Sequence, residues 1–159
     1  MEIRIGGVYL ADDSLLSKDE IESKDIFMLY AIAIERNIWI EAISLGYTLL
    51  EINLTQLMRS VVKGCPTISN SRINKCDYLI QLAKLALDEN IIDQSLYDKI
   101  DLFNKVRRAA IHKLAKGKTK KSELESAARS VTNCLSELQP LFGITMTWGH
   151  EERNPYFEE

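Results

Sequence analysis

Two residues with complementary chemistry, Arg107 and His112, stand five positions apart in the stretch FNKVRRAAIHKLAKGKTKK, residues 103–121. The pair suits a phosphodiester. A guanidinium holds two phosphate oxygens at once and stabilises the negative charge that grows around phosphorus in a transition state. An imidazole, which titrates near neutrality, takes a proton from a 2′-hydroxyl or returns one to a leaving oxygen. Arg108, Lys105, Lys113 and Lys116 surround the pair and are candidates to hold a polyanionic backbone.

The charge distribution supports a local anion-receiving site. The chain carries a net charge of −3, yet residues 105–121 hold 8 of its 20 basic residues and no acid, leaving 12 bases against 23 acids elsewhere. A basic patch on an acidic body argues against general stickiness to polyanions and for one place where phosphates dock. The plainer use of such a run is a solvated helix end followed by a lysine-rich turn. Cys65, Cys76 and Cys134 are odd in number and widely spaced, without the close pairs of zinc or redox sites, so reduced, buried thiols are expected. With only His112 and His150 available, neither a transition-metal site nor any other cofactor is expected, and catalysis would be metal-independent. The longest apolar region, residues 26–62, is broken by Glu35, Arg36, Asn37, Glu41, Glu51 and Asn53 and falls short of the roughly 20 apolar residues a membrane span needs. The start, MEIRIGGVYLADD, lacks the marks of a signal peptide, and a cytoplasmic location is expected.

The elements that must position the pair read as mainly helical. One domain over 1–159, all-α, with a helical core over 17–139, accommodates the chain. Ser17 with Glu20 and Ser122 with Glu125 fit capping boxes at helix starts. Residues 25–63 form the longest helical segment, with Ile32, Ile43, Leu50, Leu54, Leu57 and Val61 on one face and Trp39, Ile40 and Tyr47 beside it. Gly64 and Pro66 end that pattern. A second helix is expected over 73–87, including Tyr78 and Leu79, a third from Asp93 or Ser95 to about Gly117, and a fourth over 122–138 until Pro140. EIRIGGVYL and GITMTWG are β-prone and could pair as a short ribbon formed by the termini.

The third helix carries the pair. Its apolar stripe is Leu96, Ile100, Phe103, Val106, Ala110 and Leu114, and Arg107 falls inside it, at about +20° from Leu96. A guanidinium there must be paired, snorkel to water or meet a partner surface. His112 lies about 140° round the helix from Arg107, whereas Arg108 and His112 are an i, i+4 pair. A straight helix does not converge Arg107 and His112. Convergence needs the long reach of arginine, an altered last turn or a second copy across a symmetry axis.

Arg, four residues, then His, near the end of the third helix of a small four-helix domain, resembles the HEPN superfamily. The segments IWIEAISLGYTLLEINLTQLMR and DLFNKVRRAAIHKLAKG carry the likeness, which covers roughly residues 30–135. The resemblance implies a homodimer whose third-helix motifs meet at the two-fold axis, and a metal-independent endoribonuclease of toxin–antitoxin or antiviral defence systems. Arg107 and His112 would be its catalytic residues, RNA its substrate, and an antitoxin protein or nucleotidyltransferase a further partner. Arg108 stands where the family often has Asn or Asp, and Leu114 where the branch regulated by a nucleotidyltransferase has a tyrosine.

Two other classes fit parts of the same stretch. IHKLAKG is similar to the His-x-Leu-Lys-Gly pattern of histidine phosphotransfer domains, but Lys116 and Gly117 come one residue late, turning the lysine by about 100°. A non-catalytic helical module for dimerisation or partner binding would share the fold. His150 reads as a solvent residue of an acidic tail, and Tyr47 and Tyr78 as core or interface aromatics.

Overall fold

The computed structural model describes residues 4–5, 8–9, 16, 18–59 and 68–142. Among them the helices are α1 (Lys18–Ser23), α2 (Ile26–Glu35), α3 (Trp39–Arg59), α4 (Asn70–Ile73), α5 (Leu79–Asp88), α6 (Gln94–Ala115) and α7 (Lys121–Leu138), followed by a 3-10 turn, Gln139–Phe142. The chain is all-α as expected, with one minor exception. Arg4–Ile5 (β1) pairs antiparallel with Val8–Tyr9 (β2), so the ribbon's strands both come from the N-terminal segment. GITMTWG, the other half of the expected ribbon, lies outside the described residues, as do Ser17, Val61, Gly64, Cys65, Pro66 and His150.

One asparagine divides the long apolar segment. Asn37 sits at φ 60°, a left-handed conformation that asparagine tolerates better than most side chains. The Arg36 and Ile38 N–H groups close onto the Ile32 and Ala33 carbonyls at 2.9 and 2.8 Å. The single segment expected over 25–63 is therefore two helices, α2 and α3. Asn90, at φ 56°, ends α5 in the same way. The helix expected over 73–87 also divides: α4 stops at Ile73, and Tyr78 is the extended residue that precedes α5 rather than part of it.

The third and fourth helices follow the expected bounds closely. Asp93 accepts from the Leu96 N–H at 2.8 Å and caps α6. Gly117 adopts φ 65° just beyond the end of α6, and the Lys118 N–H returns to the Lys113 carbonyl at 2.9 Å, the closure that a left-handed glycine permits. At the start of α7 the expected Ser122–Glu125 box gives way to a neighbouring one, because Glu123 accepts from the Lys120 N–H at 3.1 Å.

Four helices pack in a ring, with α3 against α7, α7 against α6, α6 against α5 and α5 against α3, while α2 lies outside on α3. Ion pairs Lys113–Glu123 and Lys99–Glu137 join opposite ends of α6 and α7, so those two helices are antiparallel. Trp39 beneath Arg129 and Gly46 against Val131 advance in one direction, so α3 and α7 are parallel. Consequently α3 and α6 run in opposite directions across the bundle. The core between them is Ile43, Leu50, Leu54, Leu57, Leu79, Ile100, Phe103, Ala128, Val131, Leu135 and Leu138, all buried. Tyr30 reaches in from α2 and donates to the Ala128 carbonyl at 2.9 Å.

No described helix is long and apolar enough to cross a membrane. Among the described residues, no group of three or more His, Cys, Asp or Glu side chains is placed to hold a metal ion.

Candidate functional site on the third bundle helix

The length of α5 determines what Arg107 can do. α5 has 10 residues and α3 has 21, about 15 Å against about 31 Å. The first turn of α5 sits at the middle of α3, where the Tyr47 hydroxyl accepts from the Leu79 N–H at 3.1 Å. Beyond that point no helix among the described residues forms the fourth side of the bundle. Arg107 occupies this edge. Its guanidinium carbon lies 4.3 Å from the Tyr47 ring centroid, and its Nη2 donates to Asn104 Oδ1 at 3.2 Å.

A charged residue in an apolar stripe is thereby accounted for. The guanidinium stacks on an aromatic face and bonds a buried amide, both of which offset the loss of water. Its Nε is buried without a hydrogen-bond partner. Burial also pushes the Tyr47 phenol up from its ordinary value, so the ring partner is neutral at physiological pH.

His112 points elsewhere. Lys105, Arg108, His112 and Lys116 fall at about 180°, 120°, 160° and 200° on the wheel that places Arg107 at about 20°. All four are exposed and form one outward stripe within about 80° of arc. Lys105 is paired with Asp101 one turn earlier. Lys113 leaves the stripe: it turns toward α7 and bonds Glu123 at 2.6 Å, and together with the Lys120 N–H it draws the Glu123 carboxyl below its ordinary value.

Of the three routes by which Arg107 and His112 could converge, the structure removes one. α6 is regular through Ala115, and the chain reverses only at Gly117, with Thr119 donating back to the Ala110 carbonyl at 2.9 Å. No altered last turn swings His112 toward Arg107. Within one chain the structure therefore gathers Lys105, Arg108, His112 and Lys116, and sets Arg107 and Lys113 apart from them. Leu114, expected in the core stripe, is exposed for the same reason that Arg107 is reachable: α5 stops short of it. Asn104, three residues before Arg107 and hence on an adjoining face, was discoverable by spacing alone. Tyr47 was not, because its contact crosses 60 residues of chain.

Compared with known proteins, the chain matches no family model, no curated protein and no solved structure.

Proposed function

We propose that this protein is a metal-independent endoribonuclease of the HEPN type, of the kind used as a toxin or antiviral effector, with a composite site formed in a homodimer. The observation that carries the reading is the exposed cationic stripe of Lys105, Arg108, His112 and Lys116, which sets a histidine among phosphate-binding groups. Arg107, held by Tyr47 and Asn104, is the charge-stabilising group. Since Arg107 and His112 diverge on one helix, the site combines Arg107 of one protomer with His112 of its partner.

In this reaction His112 takes the proton of a 2′-hydroxyl as that oxygen bonds to phosphorus. The bond from phosphorus to the 5′-oxygen breaks, and that oxygen leaves with a proton. The products carry a 2′,3′-cyclic phosphate and a 5′-hydroxyl. Arg107 neutralises the extra charge on the phosphoryl oxygens, while Arg108 and Lys116 hold neighbouring phosphates.

Purified protein incubated with mixed cellular RNA in EDTA tests the chemistry. The wild type should cleave to cyclic-phosphate ends and folded His112→Ala should not. Cleavage that needs added metal ion, or that persists in His112→Ala, would sink the mechanism. One observation favours a second reading, a non-catalytic binding module: the guanidinium of Arg107 already has partners within its own chain. Absence of cleavage by wild type and variant alike would select that module, and acid-labile phosphate on His112 would select phosphotransfer.

A further inference from the structure

The outward face of α6 changes sign along the helix. On the wheel that places Arg107 at about 20°, Asp98 and Asp101 fall at about 200° and 140°, within the arc that Lys105, Arg108, His112 and Lys116 occupy further on. Asp98 accepts from the Gln94 amide at 2.7 Å, and Asp101 pairs with Lys105. The N-terminal half of this face is therefore acidic and its C-terminal half basic. A polyanion lying on His112 meets repulsion toward Asp101 and finds cations in the other direction, past Lys116. The helices that pack on α6, α5 and α7, meet its other faces, so the outward stripe leads into the loop that follows Lys116.

That loop, residues 116–121, is tied down at three points. Gly117, at φ 65°, lets the Lys118 N–H return to the Lys113 carbonyl at 2.9 Å. The Thr119 hydroxyl donates to the Ala110 carbonyl at 2.9 Å, and the Lys120 N–H donates to Glu123 at 3.1 Å. The backbone that carries Lys118 and Lys121 is thus set in place before any ligand arrives, which lowers the ordering cost of binding. Both lysines are exposed, and neither makes an ion pair among the described residues. The acid nearest to them in sequence, Glu123, is already taken by Lys113 and the Lys120 N–H.

We propose that this loop is a one-sided extension of the RNA site, in which Lys118 and Lys121 hold phosphates of a single strand that leaves His112 past Lys116. The inference rests on the reading of the stripe as an RNA site. His112 and Lys116 stand about 6 Å apart along the helix, and Lys118 and Lys121 follow beyond its end, a run of cations that one backbone can track. The preferred substrate is then a strand with several nucleotides on one side of the cleaved bond. Nucleotides on the other side add little, because they run toward Asp101 and Asp98.

The test titrates the full chain, by fluorescence anisotropy at several salt concentrations, with 2′-O-methyl oligonucleotides of about ten and about three nucleotides, which lack the attacking hydroxyl. For the longer strand, Lys118→Gln with Lys121→Gln should lower the slope of log affinity against log salt by about 1.4, or about 0.7 for each phosphate released. The shorter strand should bind wild type and variant alike. Lys75→Gln with Lys84→Gln removes the same charge from exposed positions elsewhere and should leave the slope unchanged. An unaltered slope in the loop variant, an equal fall in the control, or the same loss for both strands would overturn the proposal. Two further strands, each with a single free 2′-hydroxyl near one end or the other, separate this proposal from the reading beneath it. Wild type should cleave one of them faster, and the difference should shrink in the loop variant. Equal cleavage by wild type contradicts the one-sided track and leaves the ribonuclease reading standing, whereas the expected slopes without any cleavage sink the ribonuclease chemistry and keep the loop as a binding subsite.

Discussion

At the scale of single residues, Arg107 shows how an apparent conflict between pattern and chemistry resolves. The wheel placed a charge in an apolar stripe, and the structure supplies Asn104, one turn earlier on the same helix, as one partner. The stacking ring came from a helix 60 positions away, which no local pattern encodes. If the stack matters energetically, Tyr47→Leu and Arg107→Met should be coupled by about 0.5–1 kcal/mol in a double-mutant cycle of urea unfolding. Tyr47→Phe retains the ring and should cost about 1 kcal/mol through the acceptor lost to the Leu79 N–H. Cys134 makes a prediction of a different kind. Its thiol is fully buried, and burial pushes it from an ordinary 9.0 up to about 11. The unfolded chain releases that proton first, so the contribution is fully present below pH 9.0 and is lost as pH climbs toward about 11. Unfolding free energy should fall across that range by at most about 1.4 kcal/mol per pH unit from this group, and the fall should be shallower in Cys134→Ala. Tyr30, also raised by burial, supplies part of the remaining slope.

At the scale of elements, what could be read in advance depended on whether a boundary was written in residue types. Asp93 and Gly117 bracket α6 with an oxygen acceptor and a left-handed turn, and both ends were foreseen. Asn37 and Asn90 end helices as glycine would, but an asparagine inside an apolar run is equally at home on a helix surface, so the break at 36–38 was missed. The two adjoining sets of apolar residues read along this segment correspond to packing on several sides of α3, since α2, α5 and α7 all contact it. The tightest of those contacts is at Gly46, where a Cβ would stand 2.6 Å from Val131 Cγ2. Gly46→Ala should therefore destabilise by about 1–3 kcal/mol despite its better helix propensity. Val131→Ala in the same chain should recover part of that loss in thermal unfolding. Additive losses would mean that α3 and α7 are not wedged there.

At the scale of the whole molecule, the all-α class and the position of the basic patch were legible because helical periodicity and charge segregation are both written along the chain. The short reach of α5 was not. Its consequences, an exposed Leu114 and a partly exposed Arg107, emerge only when four helices of unequal length are set side by side. The same geometry makes the central claim testable without knowing the RNA target. Arg107→Ala and His112→Ala, each folded and each inactive alone, should be mixed under conditions where subunits exchange. If the site joins Arg107 of one protomer to His112 of its partner, mixed dimers hold one intact site, and an equimolar mixture should recover about a quarter of wild-type cleavage in EDTA. A mixture as inactive as its components would contradict a site shared in that way.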